Sequence, residues 1–272
     1  MNPLDFQFLS DLLKQKSGLV LTGDKGYLVE SRLLPIARKR GLNTLEGLVG
    51  ALRRKDEALI RDVVEAMTTN ESFFFRDNTP FDTFKAHVLP QLITRRADSK
   101  RFRIWSAAAS TGQEPYSLAM LLAEQKAALN GWRVEILGTD ISSEVLTRAR
   151  AGLYSQFEVQ RGLPIQLLVK YFKKEGDQWR IAPDIRSMVQ YREFNLLESF
   201  AGLGKFDVVY CRNVLIYFDQ PTKAKVLDRL ADAMADDGML FLGAAETVLG
   251  LSTRFRPVKD RRGLYEVVPK GK

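Results

Sequence analysis

Between Arg101 and Asp140 the chain sets out half of a nucleotide-binding site. A strand-like run, Arg-Phe-Arg-Ile-Trp, leads into a turn of small residues, Ser106 to Gly112, and a helix opened by Glu114-Pro115. A second strand-like run, Val-Glu-Ile-Leu-Gly-Thr, then ends in Asp140. Small residues let a backbone approach a ligand closely. A carboxylate at the end of the second strand can accept hydrogen bonds from both hydroxyls of a ribose. A ligand carrying an adenosine is therefore expected. The turn lacks the Gly-x-Gly-x-x-Gly spacing of dinucleotide sites and the Gly-Lys-Ser/Thr of a phosphate loop. An adenosine without phosphates fits better, and S-adenosylmethionine is such a ligand.

Each residue also has a plainer reading. The turn could be an ordinary strand–helix connection. Glu114 favours a helix N-terminus by about 0.3–1 kcal/mol through the helix dipole, or bonds the amino group of a methionyl ligand. Asp140 caps the next helix or holds the ribose. Asn195-Leu196-Leu197 follows a strand-like run and offers an amide and an apolar side chain to an adenine, although Asn is common in turns. Phe206-Asp-Val-Val-Tyr-Cys-Arg-Asn-Val-Leu-Ile-Tyr-Phe is more distinctive. Its strand opens into Arg212-Asn213, where ligands sit in open α/β sheets. Tyr217 lies four residues past Asn213, so a helical turn would set both on one face. Thr68-Thr-Asn-Glu-Ser-Phe-Phe-Phe-Arg-Asp holds three phenylalanines that cannot all face one core. Beside Asn70 and Arg76 the run reads as a segment folded over a ligand, or as an interdomain plug.

The elements that must position these residues fall into two patterns. Residues 1 to about 75 carry helical spacing: Phe6, Leu9, Leu12 and Leu13, then Lys25–Arg40 with an awkward Pro35, Leu45–Leu52 and Glu57–Met67. Asn43 or Thr44 is placed to cap the third helix. From Arg101 strand-like runs alternate with helices: 102–107, 116–130, 133–139, 143–150, 206–210, 222–234 and 239–242. That alternation predicts a doubly wound α/β fold with a mostly parallel sheet. The rhythm breaks near 157–188, where Tyr171-Phe172, a Lys-Lys-Glu-Gly-Asp turn and Gln178–Ile181 predict a small inserted antiparallel β-subdomain. The last run, from Phe255, predicts an edge hairpin. The expected domains are 1–75 and 76–272.

The 272 residues are 45% hydrophobic, enough for a large core, and carry a formal charge of +8. Such a charge favours an anionic partner, acidic protein or nucleic acid. A single cysteine, Cys211, excludes an internal disulfide and a Cys-rich metal site. A single histidine, His87, argues against a histidine zinc site or a Ser-His-Asp triad and reads as structural. The start of the chain does not read as a secretory signal, so none is expected, and no run approaches the ~18 apolar residues of a membrane span. A cytoplasmic protein is expected.

Taken in order, Thr-Asn-Glu-Ser-Phe-Phe-Phe-Arg, Trp-Ser-Ala-Ala-Ala-Ser-Thr-Gly-Gln-Glu-Pro-Tyr-Ser, Gly-Thr-Asp-Ile-Ser, Phe-Asn-Leu-Leu and Cys-Arg-Asn-Val-Leu-Ile-Tyr-Phe resemble the CheR family over nearly the whole chain. These are the chemotaxis receptor glutamate methyltransferases of bacteria. The resemblance implies an all-α N-terminal domain and a class I S-adenosylmethionine-dependent methyltransferase domain with an inserted β-subdomain. It implies that Asn70, Ser72, Arg76, Glu114, Asp140, Asn195, Leu196, Arg212 and Asn213 surround the cofactor, which leaves as S-adenosylhomocysteine. Arg76 and Tyr217 would orient the methyl donor and the acceptor carboxylate. Ser72 stands where many members carry threonine and keeps the hydroxyl. Some members grip a receptor tail peptide with the β-subdomain; the Lys173–Asp177 turn here is shorter, which argues against a tail tether. The strand-end set Glu114, Asp140 and Asn213 leads to the expectation of a monomer that binds the cofactor without metal, and the partner expected is the cytoplasmic domain of a methyl-accepting chemoreceptor, with no nucleic acid and no stable membrane insertion. Basic contacts from Lys25–Arg40, with Arg32, Arg38, Lys39 and Arg40 together, would meet a glutamate-rich helix. An RNA methyltransferase and a non-catalytic cofactor sensor are the rival readings.

Overall fold

The computed structural model describes residues 1–269 and divides into two compact units. The first comprises Met1–Thr69 together with Tyr217–Lys223. It is built from helices α1 (Pro3–Ser17), α2 (Gly26–Lys39), α3 (Leu45–Arg53) and α4 (Glu57–Met67). Three of the four starts are written locally. The side chains of Asn2, Thr44 and Asp56 accept the N–H groups of Asp5, Gly47 and Ala58 with Leu59, as helix caps do. Leu9, Leu13, Val29, Leu33, Ala37, Leu48, Leu52 and Val63 bury the inner faces. Pro35 lies inside α2 and does not end it. Two of the basic side chains expected to face a partner are already engaged within this unit. Arg32 donates to the Met67 and Thr68 carbonyls, at the end of α4, and Arg40 pairs with Asp62 at 2.6 Å. A helix C-terminus offers unsatisfied carbonyls and negative dipole charge, so it holds a guanidinium. Arg38 and Lys39 are exposed.

The second unit is Asn70–Ile216 with Ala224–Lys272. It opens with a helical rod, α5 (Thr79–Thr83) and α6 (Leu89–Arg95), joined through one wider turn at Phe84–Val88. Strands β1 (Arg101–Ala107) and β2 (Arg133–Asp140) flank α7 (Gln113–Glu124), and α8 (Ser143–Ala151) follows. The insertion holds β3 (Leu153–Ser155), α9 (Gln156–Gln160), α10 (Ile165–Tyr171), β4 (Phe172–Glu175), β5 (Gln178–Ile181) and α11 (Pro183–Ser187). The main sheet resumes with β6 (Val189–Glu193), β7 (Phe206–Cys211), α12 (Gln220–Asp232) and β8 (Met234–Leu242). It closes with the edge hairpin β9 (Phe255–Pro257) and β10 (Leu264–Val267).

The main sheet has seven strands in the order β6-β2-β1-β7-β8-β10-β9, and β6 through β8 run parallel. The insertion forms a separate antiparallel sheet, β3-β5-β4, in which Glu175 faces Gln178 across the tight Gly176-Asp177 turn. The doubly wound, mostly parallel sheet and the small antiparallel subdomain agree with the sequence pattern. Two boundaries do not. Helix α7 stops at Glu124, short of Asn130. Met234, in helical register with Leu227 and Leu230, instead opens β8 and pairs with Phe206. No helix among the described residues is long and apolar enough to cross a membrane.

Chain direction places the functional end. From β1 the chain steps outward to β2 and β6, then returns to β7 on the other side of β1. Strand order therefore reverses between β1 and β7, and the crevice beyond their carboxyl ends is the expected ligand position. Trp105, fully buried in β1, anchors the middle of this sheet. It packs against Phe194, Phe200 and Phe206 and donates to Thr139 Oγ1 at 2.9 Å.

Candidate functional site

The sequence-predicted residues of the second unit arrive at this carboxyl edge from separate strands. Glu114 opens α7 after β1, Asp140 ends β2, Asn195-Leu196 follows β6, and Arg212-Asn213 follows β7. The β1–α7 turn is tightly wound: Ala108, Ser110 and Gly112 have φ of 64°, 51° and 94°. Only Gly112 is free of side-chain cost there. It is also the position where a Cβ would meet the Tyr191 hydroxyl at 2.6 Å and Ala149 Cβ at 3.0 Å. That glycine is thus required by packing beneath the turn, on Tyr191 and Ala149. The turn is tied to β2 by Ala109 N–H donating to the Thr139 carbonyl at 2.8 Å.

Asp140 is buried and held in a fixed direction. The backbone N–H groups of Ser110 and Ser142 donate to its Oδ2 and Oδ1 at 2.8 and 3.0 Å. Helix α8 is capped by Ser142, whose Oγ accepts from Val145 N–H, so the cap belongs to the serine. Asn195 Oδ1 accepts the Leu197 N–H at 3.0 Å, a local turn that orients the amide, and Leu196 is buried.

Arg212 is enclosed at this edge, with its side chain 1% exposed. Its guanidinium donates to Glu114 Oε2 at 2.9 Å, to Asp77 Oδ2 at 2.6 Å and to the Arg76 carbonyl at 3.0 Å. Glu114 Oε1 in turn accepts from Ser106 Oγ at 2.8 Å. A buried guanidinium between two carboxylates has the pairing that desolvated charges require. Arg212 Nε remains buried with no acceptor among the described residues. Cys211 and Tyr210 lie just before it, and burial pushes both of their pKa values well up. Neither is a nucleophile or base near neutrality.

The segment Asn70–Arg76 is laced to the same edge. Ser110 Oγ donates to the Asn70 carbonyl, and Phe75 N–H donates to Ser117 Oγ, each at 2.9 Å. The three phenylalanines go three ways. Phe74 is fully buried, edge-on to Tyr154 and Phe172 of the inserted sheet. Phe75 packs on Phe81, while Phe73 lies beneath the guanidinium groups of Arg161 and Arg76. Arg76 donates to the Glu71 carbonyl at 2.7 Å. Ser72 is half-buried.

Tyr217 is not reached by the helical spacing that the sequence suggested. Asn213 has φ of 59°, and only the short turn Leu215–Tyr217 follows, so no helix carries the two on one face. Tyr217 is grouped with the helical unit, where its carbonyl accepts from Val20 N–H at 2.9 Å. His87, on the helical rod, faces Gln91 Nε2 at 3.0 Å. Among the described residues no group of three or more His, Cys, Asp and Glu side chains is placed to hold a metal.

Sequence reasoning missed Asp77, which pairs with Arg212, and Glu246, which accepts four backbone N–H groups after β7 and β8. Asp77 adjoins the Phe-Phe-Phe-Arg motif, so its position was a signal. Glu246 had none, because its partners lie up to 33 residues away. A cavity of about 300 Å³ opens beside it, lined by residues 243–247, Arg262, Gly263 and Tyr265.

Residues 70–264 match the family described as CheR methyltransferase, SAM binding domain, and residues 4–68 match CheR methyltransferase, all-alpha domain. The chain belongs to the CheR methyltransferase family. A chemotaxis protein methyltransferase of Pseudomonas aeruginosa is 43% identical over 264 residues, covering 96% of both chains. One of Pseudomonas putida is 41% identical, also over 96% of both. That of Escherichia coli is 34% identical, over 92% of this chain and 86% of its own. The cofactor of the family is S-adenosylmethionine, and the edge fits it. A buried carboxylate of fixed direction ends β2, the turn offers no phosphate cradle, and Arg212 Nε is a buried donor with no acceptor among the described residues.

Proposed function

We propose that this chain transfers a methyl group from S-adenosylmethionine to glutamate side chains on the cytoplasmic helices of a chemoreceptor, forming methyl esters. The observation that supports a carboxylate acceptor is the electrostatic character of the carboxyl edge. Glu114 is engaged by the Arg212 guanidinium and Ser106, Asp140 by backbone N–H groups, and Glu246 by four more. Tyr210 and Cys211 stay protonated. Each of these carboxylates is already engaged by donors of the protein itself. A glutamate needs no base, since its ordinary pKa is about 4.3 and it arrives ionised.

When bound, the cofactor supplies an electrophilic sulfonium methyl. Asn70, Ser72, Arg76, Glu114, Asp140, Asn195, Leu196, Arg212 and Asn213 are the residues that would hold it. Asp140 takes the ribose, Asn195 and Leu196 the adenine, and Glu114 with Arg212 the methionyl end. Arg76 and Tyr217 would orient the methyl donor and the acceptor carboxylate. Their contribution is placement and exclusion of water, and alignment of two reactants accounts for roughly 7–11 kcal/mol where it is complete. Each ester removes one negative charge from a receptor helix and so relieves like-charge repulsion along it, a local electrostatic switch. Docking runs without a tail tether, consistent with the two-residue Gly176-Asp177 turn of the inserted sheet.

The deciding experiment is transfer of tritiated methyl from S-adenosylmethionine to purified receptor cytoplasmic fragments. Label on the protein that mild base releases as methanol is the expected result. Base-stable label, or label that enters RNA instead, would overturn the proposal.

A further inference from the structure

We infer that Glu246 is a positioning residue for the cofactor, acting through the Arg212-Asn213 turn. The inference rests on the reading of that turn as a cofactor contact and adds a residue that the motifs do not contain.

The chain leaving β7 must bend sharply at the carboxyl edge. Asn213 adopts φ of 59°, a left-handed position that Asn tolerates better than most residues. The bend turns successive N–H groups inward. The N–H groups of Val214 and Ile216 donate to Glu246 Oε1 at 2.9 and 3.3 Å. Those of Asn213 and Gly243 donate to Oε2 at 2.8 and 2.7 Å. Backbone N–H groups that converge in this way form a nest for an anion. Here the protein supplies its own anion, from the segment that leaves β8. One carboxylate thus joins the ends of two adjacent parallel strands outside their ladder, where no strand pairing fixes their direction.

The packing is equally close. A Cβ on Gly243 would lie 2.7 Å from Glu246 Oε2, 2.8 Å from Asn213 Nδ2 and 3.0 Å from Asn213 N. The Asn213 amide therefore lies against the Gly243 backbone, and the Glu246 carboxylate holds the peptide beneath it. Arg212, one residue earlier, is fixed by Glu114 and Asp77. Glu246 fixes the other half of the pair. A carboxylate accepts at both oxygens, whereas an amide of the same shape turns an NH2 toward two of the four donors. Glu246→Gln therefore changes little volume but sets donor against donor at the site of the bend.

The test is calorimetric binding of S-adenosylhomocysteine to the full chain, together with steady-state methyl transfer to a receptor fragment. Glu246→Gln is expected to weaken binding about tenfold, which is ~1.4 kcal/mol. The Michaelis constant for S-adenosylmethionine should rise with it, while turnover at saturating cofactor changes far less. Glu135→Gln, which breaks surface pairs with Arg101, Arg103 and Arg133 on β1 and β2, serves as a control for general loss of stability and should leave binding alone. In an Asn213→Ala background the Glu246→Gln effect should shrink toward nothing, because coupled residues are non-additive. If Asn213→Ala alone binds as wild type, the reading of the turn as a cofactor contact fails. If Asn213→Ala weakens binding but Glu246→Gln does not, or the two effects simply multiply, the positioning role fails. Should Glu246→Gln not fold, Glu246→Asp, which keeps the charge but draws the carboxylate back from its four donors, tests the role by the same outcomes.

Discussion

Replacing Arg212 by methionine removes a buried guanidinium and keeps most of the side chain's apolar length. Three acceptors lose a donor, and their surroundings rank them. Glu114 has a side chain 12% exposed, Asp77 one 43% exposed, and the third acceptor is the neutral Arg76 carbonyl. The Asp77 pair is half in water and contributes about 0–1 kcal/mol. The loss is dominated by Glu114, left as a buried carboxylate with only Ser106 Oγ donating. Removing one partner of a buried pair costs about 3–5 kcal/mol. In a domain of this size that lowers the melting temperature by roughly 10 °C. Urea unfolding of Arg212→Met, Glu114→Gln, Asp77→Asn and the Arg212→Met/Glu114→Gln double variant measures each part. Asp77→Asn should cost under about 1 kcal/mol. The double variant should recover much of the Arg212→Met loss, because no unpaired charge remains. Should Arg212→Met lose under about 1 kcal/mol, or the double variant be as unstable as the sum of the singles, the assignment of Arg212 as the charge that holds Glu114 is refuted.

Asp140→Ala should weaken S-adenosylhomocysteine binding by about 1.5–3 kcal/mol, as charged acceptors do; unchanged affinity by calorimetry removes Asp140 from the site. Arg76→Ala and Tyr217→Phe should reduce methyl transfer far more than thermal stability, and full transfer by Arg76→Ala would leave the Phe-rich segment only a structural plug. The Lys14–Asp219 pair, at 2.8 Å, makes a pH prediction. The Lys14 ammonium, with Thr222, holds the Asp219 carboxyl well below its ordinary value, and Asp219 raises Lys14. The Asp219 contribution is present above the unfolded carboxyl pKa of about 3.9 and disappears as pH falls through the lower folded value. The Lys14 contribution is present below about 10.5 and disappears as pH rises through its folded value. Lys14→Met should thus be less stable than wild type near pH 7, with the gap closing in strong acid; a gap constant down to pH 2 refutes the pair. Receptor docking should weaken with salt, since exposed charges are screened. Arg38→Ala/Lys39→Ala should raise the Michaelis constant for receptor and flatten that salt response, whereas wild-type kinetics would move docking to Lys173 and Lys174.

What the sequence by itself determined is what short-range chemistry encodes. The alternation of strands and helices from Arg101, the cap at Thr44, and the hairpin of β4 and β5 all depend on neighbours a few residues apart. The motif residues at the strand ends were legible for the same reason, since a parallel sheet delivers every strand's carboxyl end to one edge. Only the tertiary structure decided what those residues touch. Arg212 meets Asp77 across 135 positions of sequence, and Glu246 reaches Asn213 across 33. No periodicity records such a contact, because it forms only when separate elements close around a shared core. The same cause explains where local patterns misled. Met234 is in register with an apolar helix face, yet the ladder with β7 draws it into a strand. Asn213 and Tyr217 are spaced for one helical turn, yet the chain bends between them, with the Asn213, Val214 and Ile216 N–H groups all on one carboxylate. Arg32 and Arg40 read as free cations in a list of charges, and the fold gave each an acceptor of its own. Helical propensity is worth a few tenths of a kcal/mol per residue. A strand ladder, or a buried charge pair, exceeds it.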